Sequence, residues 1–336
     1  MSSSSASKTA ALPLTMACGP YDRTEAIRNG IIKPNGIDLT YVAFEYPPDL
    51  VDRAVKDNAF DISEMFLSLY LSLRSQGNFP FVAIPVFPSR VFRHGFIFVN
   101  TLSGIKTPRD LEGRRVGVPE FRQTAAVWIK GILQHEYNVD LSAIKWVEGG
   151  LNVERPRDAL DIKPDGPFAI EFAPEGKSLD EMLARGELDA CLGAERPNSF
   201  GPNPQVQRLF PNYREVEREY YCKTGIFPIM HTLVLKESLY NQHPWTAQSV
   251  YKSMVDSKGW IRDHVWATGG FLRFMLPWLW DDLEQTDKMF GGDAWPYGLE
   301  PNRHTLEVLM DYMVEQGLMP QQTPLEELFV AIQPEA

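Results

Sequence analysis

The chain has 336 residues, of which 44% are hydrophobic and 23% charged, a composition typical of globular proteins that excludes a mainly disordered chain. A formal net charge of −11 argues against nucleic acid and anionic membrane as main partners. Cys18, Cys191 and Cys222 form no Cys-x-x-Cys pair, so neither a disulfide framework nor a zinc knuckle is indicated. We expect reduced thiols and a cytoplasmic location.

The first part of the chain alternates between strand-like and helix-like patterns. Residues 1–12 form a polar tail without the charged and apolar regions of a secretory signal, so we expect disorder there. The alternation favours a parallel sheet with covering helices. The predicted strands are 14–18, 37–43, 60–63 and 81–85, and the predicted helices are 24–29, 48–56 and 67–74.

A second unit begins near residue 104 and repeats this alternation. Residues 156–176 are loop-rich, and the pattern is helical from Pro244 onward except around 291–301. The predicted strands of this part are 115–118, 144–147, 188–192 and 227–235, and the predicted helices are 124–137 and 179–185.

The strand at 113–118 resembles the strand that opens the second lobe of two-lobed solute-binding proteins. In that α/β architecture the chain crosses twice between lobes, and here we expect the crossings near 100–103 and 225–231. The C-terminal helices should then return to the first lobe. The predicted domains are therefore a first lobe formed by 13–102 and 231–336, and a second lobe formed by 103–230.

A short polar cluster lies between two apolar, β-like runs of residues 81–100. It contains Ser89, Arg90, Arg93 and His94. Two guanidiniums and an imidazole at a strand tip are costly to desolvate unless an anion is near. The cluster therefore predicts a pocket for a carboxylate-bearing small molecule. The alternative is a solvated turn whose arginines pair with surface acids.

Ligands of open α/β sheets bind beyond the carboxyl ends of the strands. The first strand ends before Arg23, which lies at a predicted helix N-terminus, a favourable place for an anion. The third strand brings Ser63 and Glu64 to the same rim. In both places the alternative interpretation is a simple helix cap.

The second unit also carries polar residues after its strands. Thr124 is a predicted N-cap whose following amides could hold a carboxylate, and Glu120 and Arg122 precede it in the same loop. Glu195 and Arg196 follow a later strand. Thr124, Glu195 and Arg196 are candidates for the substrate-binding wall of the second lobe.

His231 lies in the second crossover, which faces the cleft between lobes. A lone strand histidine is often structural, but a hinge position favours a functional role. The sequence has no Walker-A loop, no Gly-x-Gly-x-x-Gly fingerprint and no Gly-x-Ser-x-Gly elbow. No ligand spacing supports a metal ion on Glu64, Glu120 or His94, so we expect no metal site.

Six segments together resemble one enzyme family. They are 17–26, 63–65, 81–94, 115–120, 124–128 and 295–298, and the block Phe87-Pro-Ser-Arg-Val-Phe-Arg-His94 is the most specific. With these segments the chain resembles the 4,5-dihydroxyphthalate decarboxylase family over nearly its whole length after the tail. The resemblance implies a type II periplasmic-binding-protein-like fold in an intracellular enzyme without an organic cofactor.

The resemblance further implies non-oxidative removal of one carboxylate from a dihydroxylated aromatic acid such as 4,5-dihydroxyphthalate. Such a reaction needs a base or hydrogen-bond acceptor near the phenol, an acid near the ipso carbon and cations for the remaining carboxylate. The sequence leaves the roles of the histidines and acids interchangeable. The candidates are Arg23, Arg90 and Arg93 as clamps, His94 and His231 for phenol activation or proton delivery, and Glu64 and Glu120 as the ipso acid if burial raises a pKa.

Two other function classes remain open at this point. One is a solute-binding or sensor protein that captures a small carboxylate without turnover, and the lack of an export signal argues against it. The other is a biosynthetic enzyme on the same scaffold, such as one that handles a pyrimidine precursor. The sequence is also compatible with a homo-oligomer.

Overall fold

The computed structural model describes residues 10–77, 79–155, 164–267 and 275–333. Two β-sheets organise these residues. In spatial order the first sheet contains β2 (Ile37–Ala43), β1 (Leu12–Cys18), β3 (Ile62–Phe66), β11 (Ile229–Lys236) and β4 (Phe81–Arg90). The second contains β10 (Val206–Arg208), β5 (Ile97–Asn100), β9 (Ala190–Leu192), β6 (Arg115–Val118), β7 (Lys145–Glu148) and β8 (Ala169–Phe172).

Helices connect and cover the two sheets. They are α1 (Glu25–Arg28), α2 (Pro47–Lys56), α3 (Leu67–Ser75), α4 (Thr124–Tyr137), α5 (Leu179–Ala184), α6 (Tyr213–Thr224), α7 (Glu237–Gln242), α8 (Trp245–Ala267), α9 (Leu279–Phe290), α10 (Arg303–Glu315) and α11 (Leu325–Leu328). None of these described helices is long and apolar enough to cross a membrane.

The sheets follow from the alternating pattern that the sequence shows. β1 pairs in parallel with β2 and β3, as expected when helices connect successive strands. β11 returns from the second sheet and inserts antiparallel between β3 and β4. The chain thus enters the second sheet once and leaves it once, as the predicted two-lobed fold requires.

The first crossing differs from the prediction. β5 pairs with β9 and β10 in the second sheet, so the chain leaves the first sheet at 91–96 and not near 100–103. The second crossing precedes β11 and lies within the predicted 225–231. Because β5 belongs to the second sheet, the chain passes from the first sheet to the second earlier than predicted. The lobe boundaries 13–102 plus 231–336 and 103–230 remain a prediction.

β1 starts earlier than predicted, and β8 lies where the sequence indicated no strand. β1 begins at Leu12, inside the predicted tail, whose residues 1–9 lie outside the described residues. β8 lies in the predicted loop-rich region, of which 156–163 are also outside the described residues. β8 is only 4 residues long, and such a short strand gives too few alternations to stand out among glycines and prolines.

The C-terminal helices divide between the two lobes. α8 packs against β4 and α1 of the first sheet, as predicted, whereas α10 packs against α4 of the second unit. Gln316, just after α10, donates from Nε2 to the carbonyl of Val127 at 3.0 Å. One buried core therefore runs from α3 through α4 to α10.

The contact between α4 and α10 depends on a glycine. A Cβ at Gly131 would lie 1.9 Å from Cδ2 of Tyr312, close to the base of a buried ring that cannot swing away. We expect Gly131→Ala to lower the free energy of unfolding by about 1–3 kcal/mol, measured by denaturant titration. In Gly259→Ala, at an open position of α8, better helix propensity should raise it by about 0.5–1 kcal/mol. Equal stabilities for the two variants would contradict this packing.

Candidate active site

A cavity of about 340 Å³ lies where the carboxyl ends of strands from both sheets meet. Phe66 and Leu69 line it from β3 and α3 of the first lobe. Glu120, Arg122 and Glu195 line it from loops that follow β6 and β9 of the second lobe. The cavity is large enough for a small aromatic molecule and is bounded by both lobes.

Glu64, in the middle of β3, is a carboxylate that is only 2% exposed. Its Oε2 accepts a hydrogen bond from the amide of Gly19 at 2.8 Å and lies 3.3 Å from the thiol of Cys18. Its Oε1 accepts from the hydroxyl of Tyr21 at 2.7 Å and lies 2.5 Å from Nδ1 of His231. Both carboxylate oxygens are therefore fully hydrogen-bonded inside the protein.

These contacts decide the charge of the cluster. Burial alone would raise the pKa of Glu64. The charge of His231 and the hydrogen bonds from His231, Gly19 and Tyr21 instead lower this pKa to about 2. Burial, reinforced by the charge of Glu64, raises the pKa values of Cys18 and Tyr21. Glu64 is therefore ionised, and its predicted role as an acid with a raised pKa is wrong.

His231 lies between this buried carboxylate and Phe66, a residue of the cavity wall. Its side chain is 13% exposed, and its ring lies 5.1 Å from the ring of Phe66, which lines the cavity wall. The pairing of β11 with β4 is irregular on both sides of His231, and such bulges turn a side chain out of the regular ladder. Because Nδ1 faces Glu64, Nε2 is the nitrogen left to exchange a proton with a ligand.

Arg90 does not reach the cavity wall. Its guanidinium donates to the carbonyl oxygens of Phe227 at 3.2 Å and Pro296 at 3.0 Å, and to the side chain of Asn302. Burial lowers the pKa of Arg90 to about 10. In this structure Arg90 ties β4 to the second crossing and to the C-terminal region.

Arg93 has a similar environment. Its Nε lies 3.2 Å from Sδ of Met230, and its Nη1 donates to the carbonyl of Ala194 at 3.2 Å. Burial lowers the pKa of Arg93 to about 9. Within the described residues, neither Arg93 nor Arg90 has a carboxylate within 4 Å, so the alternative of surface ion pairs does not describe them.

His94 is 2% exposed and lies in an aromatic nest. The rings of Tyr137, Phe210 and Tyr220 contact it edge-on, with ring centroids 5.3–6.2 Å away. Neither ring nitrogen has a hydrogen-bond partner among the described residues. Burial lowers the pKa of His94 to about 4, so this ring is neutral at neutral pH and is separated from Glu64 and His231.

The other predicted substrate-binding residues are divided between the cavity and its supports. Glu120 and Glu195 line the cavity. Three of the remaining side chains make internal contacts: Arg23 donates to the carbonyl of Pro88, Ser63 donates to the carbonyl of Glu64, and Thr124 contacts Ser68. Ser89 lies opposite His231 in the strand register, and Arg196 is exposed.

Three residues of the site were missed from the sequence. Tyr21 contacts Glu64, and its position just after the first strand was a usable signal. Arg122 lies 3.1 Å from Glu120, in a loop that the sequence identified without assigning this arginine. Arg155 approaches the same carboxylate at 4.0 Å, and no pattern in its irregular segment indicated it.

No group of three or more His, Cys, Asp or Glu side chains that could hold a metal ion occurs in the parts of the chain that the structure describes. The three cysteines are free, with Cys18 and Cys191 buried and Cys222 exposed.

The environment of His94 predicts how stability changes with pH. Because its folded-state pKa of about 4 is below the ordinary value of about 6.5, the unfolded chain binds the proton first. Stability should therefore be lost as pH falls through this window. In His94→Phe, the loss of unfolding free energy between pH 7 and pH 5 should be smaller by about 2 kcal/mol. The control is His264→Phe at an exposed position; identical pH dependence in both variants would refute the effect.

Comparison with known proteins found two curated relatives with the same name. A 4,5-dihydroxyphthalate decarboxylase of Comamonas testosteroni is 35% identical over 319 residues, which cover 95% of this chain and 96% of the relative. A 4,5-dihydroxyphthalate decarboxylase of Pseudomonas putida is 34% identical over 211 residues, covering 62% and 81%. No family model matches the chain.

Solved structures share the fold at low sequence identity. The periplasmic aliphatic sulphonate binding protein SsuA of Escherichia coli has a TM-score of 0.55 and 12% identity, covering 96% of this chain and 97% of its own. A protein of Archaeoglobus fulgidus has a TM-score of 0.52 and 12% identity, covering 91% and 98%. These similarities confirm the predicted two-lobed, periplasmic-binding-protein-like fold.

Proposed function

We infer that this chain, which belongs to the 4,5-dihydroxyphthalate decarboxylase family, removes one carboxylate from 4,5-dihydroxyphthalate or a close dihydroxylated analogue. The products are carbon dioxide and 3,4-dihydroxybenzoate. The observation that carries this proposal is the hydrogen-bonded pair of Glu64 and His231, whose imidazole packs against Phe66 of a cavity that also has arginines in its wall. The cytoplasm is the proposed location, supported by three free cysteines.

The chemistry needs one proton at the carbon that bears the leaving carboxylate. Electrons from the hydroxyl para to that carbon enter the ring as its O–H proton is released, and the carbon takes up a proton. The C–C bond then breaks, its electron pair restores the aromatic ring, and carbon dioxide leaves. The oxygen regains a proton at the end, so the reaction takes up one proton from solvent overall and requires no oxidant or reductant.

His231 is the proposed carrier of the ring proton. Its Nδ1 is held by Glu64, so Nε2 can present a proton toward the cavity and take another from solvent after turnover. When both nitrogens are protonated, the carboxylate of Glu64 offsets the imidazolium charge. Glu64 is then a positioning residue, and Cys18, Gly19 and Tyr21 hold it in place.

The cavity wall suits departure of a neutral molecule. Phe66 and Leu69 provide apolar surface on the side where His231 lies. A carboxylate against such a surface loses hydration, whereas carbon dioxide does not need it. We assign Glu120, the other predicted acid, to the arginines of the second lobe, because it lies 3.1 Å from Arg122.

The reaction itself is tested with the purified protein and 4,5-dihydroxyphthalate in deuterium oxide. We expect carbon dioxide to be released and 3,4-dihydroxybenzoate to form with a single deuterium at the vacated carbon, detected by NMR. Ligand binding without any product would instead support the solute-binding alternative. Product without deuterium at that carbon would exclude protonation from exchangeable groups.

Replacement of His231 tests the proton path. His231→Asn keeps some hydrogen bonding but cannot shuttle a proton, so kcat should fall by roughly 10²–10⁴-fold while KM changes only a few-fold. Glu64→Gln should cost less, about 10–100-fold in kcat, because it disturbs only the orientation of the ring. The control is His304→Asn, on the exposed surface. A His231 variant with near-native kcat would remove this residue from the mechanism.

A further inference from the structure

We propose that Arg122, with Arg155 beside it, forms the subsite for the carboxylate that stays on the ring, and that Glu120 is an internal counter-ion which this carboxylate displaces. The subsite would select aromatic rings with two carboxylates on adjacent carbons. The proposal rests on the proposed function for its substrate class, but its test does not depend on turnover.

The first support is the geometry around Glu120. Nη2 of Arg122 lies 3.1 Å from one carboxylate oxygen, and Nη1 of Arg155 lies 4.0 Å from the other. All three side chains line the cavity. One carboxylate thus already occupies the space between two guanidiniums, which is the arrangement that an incoming carboxylate would reproduce.

The second support is an unused donor. The side chain of Arg122 is 8% exposed, and its buried Nε has no hydrogen-bond partner among the described residues. A buried N–H of a guanidinium is costly to leave unpaired. Glu120 therefore satisfies this arginine only in part, and a ligand carboxylate that reaches both Nε and Nη2 would complete it in the bidentate geometry that arginine favours.

The third support is the charge of the wall. Among the described residues that line the cavity, the cationic side chains are those of Arg122 and Arg155. The other charged lining residues are the acids Asp49, Asp52, Glu120, Glu154 and Glu195. A dianionic ligand is repelled from most of this wall and attracted to one place, so the arginines fix its orientation.

The fourth support is that the loop carrying Arg122 is held from both sides. Its carbonyl accepts a hydrogen bond from Oγ of Ser68 at 2.7 Å, from α3 of the first lobe. The preceding Phe121 accepts from Nζ of Lys130 at 2.6 Å and donates its amide to Glu148. Because the backbone is fixed, the guanidinium is already in position before a ligand arrives.

The test uses phthalate, which has both adjacent carboxylates but no hydroxyl to push electrons, so it binds without reacting. Isothermal titration calorimetry should show wild-type binding that weakens by about 10- to 100-fold in Arg122→Gln. Glu120→Gln should bind phthalate roughly two- to fivefold more tightly, because the competing internal carboxylate is gone. Arg109→Gln, a charge-matched change at a 68% exposed side chain, should leave affinity unchanged.

The proposal is overturned if the wild-type protein does not bind phthalate, or if Arg122→Gln binds it as the wild type does. It is also overturned if Glu120→Gln weakens binding, a result that does not depend on whether the arginine variant folds. Arginine-dependent phthalate binding without carbon dioxide release would refute the proposed function alone. Carbon dioxide release with arginine-independent phthalate binding would refute the subsite alone.

Discussion

The buried ionised carboxylate of Glu64 is the constraint on which the site depends. Burying an ion in a protein interior costs several kcal/mol unless hydrogen bonds and an opposite charge replace its hydration. Here the replacements come from the segment after β1, through Gly19 and Tyr21, and from β11, through His231. The charge therefore requires that β1, β3 and β11 lie side by side, as they do in the first sheet.

The two lobes contribute different chemistry to one cavity. The first lobe supplies the imidazole and its apolar surroundings, and the second supplies the arginines and most of the acids. A ligand with a carboxylate at one end and a reacting carbon at the other would therefore have to bridge both lobes.

Much of the fold could be predicted from the alternation of strand-like and helix-like patterns. Part of the site could also be predicted, because strands that end in polar residues bring those residues to one edge of the sheet. Glu64 and Glu120 were identified in this way, and His231 was identified by its position at the second crossing between lobes. The cluster of Arg90, Arg93 and His94 shows the limit of the method. Arg90 donates to Asn302, a residue 212 positions later, and no local pattern shows that the chain supplies this acceptor. Contacts between residues far apart in the sequence determine whether a buried cation binds a ligand or a group of the protein itself.

The contacts between the lobes also favour an enzyme over a carrier on this scaffold. Ser68 of α3 donates to the carbonyl of Arg122, and Nε1 of Trp128 in α4 donates to the carbonyl of Ile229 at the start of β11 at 2.9 Å. A protein that captures and releases a solute needs lobes that separate at small cost, whereas these contacts would all break on opening. In the proposed mechanism they would hold His231 and Arg122 in place, which is the preorganisation that a proton transfer to one ring carbon requires.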